Sequence, residues 1–222
     1  MVGNYYYFGW VPADEPGFYG WKVLKYDALN WTILNSTLLG LFEPYEKNND
    51  PMVSSASGRI DVSGQYDEAG SSPPLDQGAA THHTFITPDD LQVVEKRVLA
   101  ETPHICGSSM IFADGFYHMV TADAFIGDLI VMTYDSQWNY VGMKPLRSQA
   151  HWSQGIAYDG TYFYVAYLDT SQRNTPETFP IILNAHLAAF DRDWNLVEDV
   201  AVTDFLRSDH KLAGRPWVTV RK

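Results

Sequence analysis

The chain has 222 residues, 45% of them hydrophobic and 19% charged, a composition that can bury one sizeable core and excludes a disordered tail or linker array. Fifteen Lys and Arg against 27 Asp and Glu give a formal charge of -12, a field that repels phosphate backbones and anionic surfaces, so neither nucleic acid nor a membrane is expected as a partner. A single cysteine, Cys106, excludes an internal disulfide framework.

In chain order, Gly3-Asn4 leads into Tyr5-Tyr6-Tyr7-Phe8-Gly9-Trp10, an aromatic strand with no partner before it. Tyr26-Asp27-Ala28-Leu29-Asn30-Trp31-Thr32-Ile33-Leu34 follows. Its grammar is an aromatic, a polar turn containing Asp, then Trp and an alternating apolar run, which predicts a hairpin. Pro51–Gly58 and Arg59–Asp67 form a hairpin of a second kind, turning at Ser57-Gly58, and Phe85–Val94 is a degenerate copy of the first kind. Gly107–Gly115 with Phe116–Asp123 turns on Asp114-Gly115, a strong two-residue hairpin signal. Tyr134–Val141 then restores the aromatic, Asp and Trp grammar. Ser153–Gly160 with Thr161–Asp169 turns on Asp159-Gly160, and Phe190–Val197 repeats Tyr134–Val141. The unit is four strands, A to D, returning at roughly fifty residues, and such a period means a repeat architecture.

The ends explain each other: Tyr5–Trp10 is strand B without strand A, and Gly214–Lys222 is strand A without strand B. Joining them restores the missing unit. The expectation is therefore an all-β β-propeller of four-stranded antiparallel blades, four blades recognised (five if the chain is cropped from a longer ring), closed by pairing of the N- and C-terminal strands. It reads as one soluble domain, 1–222, with no basic n-region, no apolar h-region and no run of about eighteen apolar residues. Leu39–Glu46 and Asp204–Leu212 are the segments expected to hold a short turn of helix. Trp31, Trp138 and Trp194 are expected to pack between adjacent blades.

The long loops fall on one face of such a propeller: residues 12–20, 67–79 and 170–184 between B and C, and 41–50 and 205–215 between D and A. Function is expected there, on variable loops held by a rigid frame. The starts of the inner strands bring Asn49 and Asp50, His104 and Cys106, His151 and Trp152, and His210 and Arg215. The ends of the second strands bring Asp14 and Glu15, Asp67 and Glu68, Asp123, and Asp169. A carboxylate ends strand B in every unit.

Asn49-Asp50-Pro51, an acid at the start of an innermost strand followed by proline, resembles the strand opening of the five-bladed propeller glycosidases, the arabinosidases, xylosidases and invertases. The resemblance implies that Asp50 is the general base or nucleophile. Blade position then gives Glu68 as proton donor and Asp123 or Asp169 as the modulating acid. Such chemistry needs one carboxyl kept protonated and one ionised, about 6.5–9.5 Å apart for inversion or about 5–5.5 Å for retention. Trp152, Trp10 and Trp217 offer faces for a sugar ring. His104 and His151 either donate to sugar hydroxyls or make structural hydrogen bonds in the throat. Asp169 and Arg215 complete the expected substrate-binding set, and the expected ligand is a carbohydrate.

Other chemistries lack their motifs. There is no Ser-x-Asp-x-Gly-x-x-Trp sialidase box, Gly-x-Ser-x-Gly elbow, P-loop, dinucleotide fingerprint or His-Glu-x-x-His. His82 and His83 are neighbours on a strand and point to opposite faces, which defeats chelation of zinc. No cofactor is expected, and a calcium ion on the propeller axis is the metal that a ring of carboxylates would suit. Cys106 reads as a packed thiol. The competing function is a non-enzymatic scaffold that presents the same face to a protein or peptide.

Overall fold

A computed structural model describes residues 4–10, 20–40, 47–48, 51–67, 80–101, 105–123, 128–169, 184–205 and 218. These residues are strands and turns, with no helix among them. The described residues are all-β and form four sheets, the blades of a β-propeller. The first comprises β1 (Tyr5–Trp10), β2 (Gly20–Asp27) and β3 (Ile33–Gly40) in that order. The second has β4 (Lys47–Asn48) and β5 (Met52–Ala56) on one side of β6 (Arg59–Asp67), then β7 (Ala80–Ile86) and β8 (Val93–Glu101). The third runs β9 (Ile105–Ala113), β10 (Phe116–Asp123), β11 (Leu129–Tyr134), β12 (Tyr140–Arg147). The fourth runs β13 (Ala150–Tyr158), β14 (Phe163–Asp169), β15 (Asn184–Phe190), β16 (Leu196–Ala201). The pairings β1–β2, β6–β7, β10–β11 and β13–β14 are antiparallel, as expected of meanders joined by short turns.

β4 and β5 both pair with β6, Asn48 opposite Tyr66 and Met52 opposite Ser63, so both lie along the same edge of β6. Leu39 and Gly40, expected in a turn of helix, belong instead to β3, because they continue its alternation opposite Trp21 and Gly20. The rest of that segment, residues 41–46, lies outside the described residues, as does 206–212 of the second expected helix. The expected ring closure also falls outside them, on residues 214–217 and 219–222.

The residues separate into two compact units, Met1–Ile105 and Cys106–Lys222, each holding two blades. In the first, Trp21, Val23 and Leu39 of one blade pack with Val53, Ile60, Val62, Ile86 and Leu91 of the next. Gly9 permits that approach: a Cβ there would lie 2.9 Å from Val53 Cγ2. In the second unit, Val120, Leu129 and Val131 pack with Ile156, Phe163, Val165 and Phe190.

Turn chemistry sets the register. Ser57-Gly58 and Asp114-Gly115 have positive φ at both residues (51° and 72°, 51° and 88°), the mirror-image turn whose twist matches the strands it joins. The hairpin between β13 and β14 departs from the expected two-residue turn. Its loop is residues 159–162, because Asp159 Oδ1 accepts from the backbone N–H groups of Thr161 (2.7 Å) and Tyr162 (2.8 Å) and thereby delays the strand to Phe163.

The C-to-D hairpins share one unusual device. Trp31, Leu91, Trp138 and Trp194 occupy the same place in their blades, and each has positive φ, 55° to 70°. A bulky side chain there is strained by roughly 1–2 kcal/mol. Contacts offset the strain: Trp31 stacks on Tyr6 at 5.3 Å, Trp138 on Tyr117 at 3.9 Å and Trp194 on Phe163 at 4.2 Å. In the second blade both members shrink to aliphatics, Leu91 and Ile60, within one core. The expectation that these tryptophans fill the space between blades holds for Trp194, whose ring also meets His118 of the preceding blade at 5.5 Å. Trp31 and Trp138 stack on strand B of their own blades.

Candidate functional site

Three of the four blades end their second strand on an aspartate: Asp67 closes β6, Asp123 closes β10 and Asp169 closes β14. This is the recurrent carboxylate position. Of the expected site residues, Asp50, Glu68, His104 and Arg215 lie outside the described residues. Asp123 at the end of β10, and His151 and Trp152 at the start of β13, are described as backbone positions only. Asp169 is described with its side chain, and the structure surrounds it with partners that were not expected.

Those partners follow from the period of two. Tyr167 stands opposite His186 in the β14–β15 register, Asp169 is two residues beyond Tyr167, and His186 stands opposite Ala201, two residues from Asp199. Residues two apart on a strand, and residues directly opposite across a pair, share a face. Tyr167, Asp169, His186 and Asp199 are therefore gathered on one side of the fourth blade. The Asp199 carboxylate accepts from the Tyr167 hydroxyl at 2.7 Å and faces His186 Nδ1 at 3.0 Å and an Arg147 guanidinium nitrogen at 3.3 Å. The other ring nitrogen, Nε2, lies 3.6 Å from Asp169 Oδ2. Burial, followed by the hydrogen bond to Asp199, pushes the Tyr167 hydroxyl well above the usual phenol range. The tyrosine is thus held as a donor at any ordinary pH. The side chains of His186, Asp169 and Asp199 keep 14%, 20% and 12% of their surface, so the grouping touches solvent.

Beside it, Asn184 opposite Asp169 fastens the strand end. Its Oδ1 accepts from the Phe205 backbone N–H at 2.7 Å and from the Thr203 hydroxyl at 3.2 Å.

The first unit holds a second histidine–aspartate grouping. Asp61 stands opposite Phe85, two residues from His83, so both side chains take the buried face. His83 Nδ1 lies 2.9 Å and 3.0 Å from the two Asp61 oxygens, and both side chains are fully buried. The Ser54 hydroxyl donates to Asp61 at 3.4 Å, while His83 Nε2 is buried with no hydrogen-bond partner among the described residues. The sequence names His83 but gives no sign of Asp61, because the pairing depends on which residue of β6 faces β7. The same holds for His186 and Asp199. Their signal is cross-strand register, and only an aligned pair of strands reveals it.

Among the described residues, no group of three or more His, Cys, Asp or Glu side chains is gathered as metal ligands. No helix among them is long and apolar enough to cross a membrane.

No family model matches the chain, and no curated protein matches it. Solved structures do. An exo-β-1,3-galactanase from Phanerochaete chrysosporium, solved with galactose, aligns with a TM-score of 0.59 at 10% identity over 91% of this chain and 48% of its own. That likeness shows the fold alone. This chain spans about half the length of the galactanase chain. Hydrazine synthase of Kuenenia stuttgartiensis aligns with a TM-score of 0.43 at 9% identity, over 81% of this chain and 59% of its own. A family-43 β-xylosidase/α-arabinofuranosidase from a compost metagenome aligns at 0.41 and 12% identity, over 87% and 90%.

Proposed function

We propose that the protein is a carbohydrate-active propeller whose strand-end carboxylates engage a glycan. The observation that carries this reading is the fold shared with the galactanase across 91% of the chain. The aspartates that end β6, β10 and β14 support it, since a recurrent acid at one topological position supplies hydrogen-bond acceptors for sugar hydroxyls. In this reading Asp50 is the base or nucleophile, Glu68 the proton donor and Asp123 the acid that tunes them. His104, His151, Trp152, Asp169 and Arg215 bind the sugar.

The test has two arms. Hydrolysis of aryl galactosides, xylosides and arabinofuranosides by the wild type, lost at least a hundredfold in Asp50→Asn as expected for a missing acid–base group, supports a hydrolase. Calorimetric binding of galactose or β-1,3-galactobiose without hydrolysis supports a sugar-binding relative. Failure of both removes the carbohydrate reading.

A second reading, the interaction scaffold, draws on the outermost strands. Ile33 and Leu34 on β3, Val93 and Val94 on β8, Tyr140 and Val141 on β12, and Leu196 and Val197 on β16 are all exposed apolar side chains. Such edges are available for a protein partner.

A further inference from the structure

We infer that the face of the first blade bearing Tyr6, Phe8, Tyr26 and Trp31 is a self-association surface, on which a second copy of the chain docks face to face about a twofold axis. The inference is independent of what the protein binds elsewhere.

The register gathers the surface. Tyr6 stands opposite Tyr26, Phe8 opposite Leu24, and Leu38 of β3 opposite Lys22, so alternate residues of three strands share one side of the blade. Trp31, in the turn beyond β2, stacks on Tyr6 at 5.3 Å. Tyr6 lies 6.3 Å from Phe8, which meets Tyr26 edge to face at 5.3 Å. The four rings make a connected plate. Each is already held by a neighbour, so docking costs little side-chain freedom.

The repeat shows what covers such a face. Tyr6, Phe8 and Trp31 correspond to Ile60, Val62 and Leu91 of the second blade and to Phe163, Val165 and Trp194 of the fourth, because Tyr26, Ile86 and Phe190 hold the same place opposite β3, β8 and β16. The second-blade trio is buried with Trp21, Val23 and Leu39 of the first blade, and the fourth-blade trio with Val120, Leu129 and Val131 of the third. Val62 and Val165 keep no exposed surface, whereas Phe8 keeps 45%, Leu38 43% and Trp31 62%. In two blades the position is thus closed by the apolar face of another blade. The first blade presents the same position enlarged to aromatics and open to solvent, and aromatics are the residues that anchor protein interfaces.

Charge selects the partner. The chain carries -12, so two copies repel wherever their acidic surfaces meet. On this blade the signs are balanced. Lys22 lies near one end of β2 and Asp27 at the other, about 16 Å away. The backbone N–H groups of Leu29 and then Asn30 hold the Asp27 carboxyl below the usual range, so it stays ionised. Lys25, the other cation of β2, reaches the second blade, its Nζ 3.2 Å from the Asp89 carbonyl. A twofold axis through Leu24 sets the two β2 strands antiparallel and brings Lys22 of each copy toward Asp27 of the other. The surface is therefore complementary to itself, as an isologous dimer requires.

Sedimentation velocity of the full chain, from about 1 to 100 µM, reads the association. A monomer–dimer equilibrium is expected, with the dissociation constant raised about tenfold or more in Phe8→Ser and in Trp31→Ser. Lys22→Glu, which sets carboxylates against each other at both ends of the contact, is expected to weaken the dimer as well, and Lys22→Arg to leave it intact. Circular dichroism checks that each variant folds, and the two Lys22 variants, which remove no apolar packing, carry the test if Phe8→Ser does not fold. A chain that stays monomeric throughout overturns the proposal and leaves the face to another occupant, a glycan or an unrelated protein. A dimer indifferent to all these substitutions overturns it too, as does association that continues past two, because an isologous contact closes at the dimer.

A crosslink tests the axis. With Cys106→Ser removing the native thiol, Leu24→Cys is expected to give a covalent dimer on mild oxidation, since Cβ atoms beside a twofold axis can reach the roughly 4 Å that a disulfide needs. Val94→Cys, at an exposed position of β8, is expected to give none. Equal yields from the two positions, or no product from Leu24→Cys, overturn the twofold packing.

Discussion

Two histidine–aspartate groupings, one in each unit, use the same side chains at different depths of burial. His83 and Asp61 are sealed, with no exposed surface on either side chain. His186 lies between Asp169 and Asp199 with 12% to 20% of the surface of the three side chains left open. A sealed pair that meets no solvent can hold strands together but cannot exchange a proton readily or touch a ligand. The open grouping can do both. The difference teaches that chemistry in this repeat follows depth within the blade more than residue type.

The largest expected effect breaks the sealed pair. His83→Leu leaves Asp61 buried with only the Ser54 hydroxyl, at 3.4 Å. Stranding one member of a buried pair costs about 3–5 kcal/mol. Urea unfolding should show that loss, and the double variant Asp61→Val/His83→Leu should recover much of it, because a well-packed apolar pair is often as stable as the buried polar pair it replaces. If the single variant unfolds at the wild-type urea concentration, the sealed pair is not the fastening described here. His186→Gln on the open side should cost less, about 0.5–1.5 kcal/mol, the scale of one net hydrogen bond.

The tryptophan turns extend the same comparison at smaller size. Trp194 is 6% exposed and packs on Phe163, Phe190 and His118, whereas Trp31 is 62% exposed and stacks on Tyr6. Both have the same positive-φ backbone, so Trp→Ala leaves similar strain in each, and burial alone separates them. Trp194→Ala should lose about 3 kcal/mol, at the low end for a buried aromatic, since its indole N–H is buried without an acceptor and its removal relieves that penalty. Trp31→Ala should lose under about 1 kcal/mol. Equal losses in thermal melts would show that the turn, and not the packing, sets the cost.

These contrasts also explain what the sequence made legible. The blade repeat was readable because its signals are local. Asp135 and Asp191 each gather the backbone N–H groups of the turn and the side chain of the following Asn (Asn139 at 2.8 Å, Asn195 at 2.9 Å), and the residues that do so sit within four positions of each other. Those hydrogen bonds hold both carboxyls below their ordinary range, the Asn side chain contributing most. Strand-end acids were readable for the same reason, as Asp169 shows. The surroundings of Asp169 were not. His186 is seventeen residues away and Asp199 thirty, on two further strands, and their shared face depends on a β-bulge-corrected register that composition does not encode. The extra loop residues after Asp159 were missed because a side chain, not the Asp-Gly pair, decides where β14 begins.

A third histidine lies between the two extremes and gives the smallest effect. His118 stands opposite Thr133, with Nδ1 3.3 Å from its hydroxyl, and packs on Phe163 and Trp194 at 4.9 Å and 5.5 Å. Burial holds its imidazole below the ordinary value of 6.5, against the opposing pull of the Ala113 backbone hydrogen bond and the Asp114 charge. Because the folded value is depressed, the unfolded chain takes up the proton first. The contribution of His118 is complete above about pH 6.5 and drains away as pH falls toward the folded value. The turn aspartates, held below the ordinary carboxylate range, do not interfere between pH 5 and 7.5. The urea midpoint of His118→Gln should therefore lie furthest below that of the wild type at pH 7.5 and approach it at pH 5. A gap that stays constant or widens on acidification would place His118 with the open grouping, as a ring that solvent reaches, and not with the sealed one.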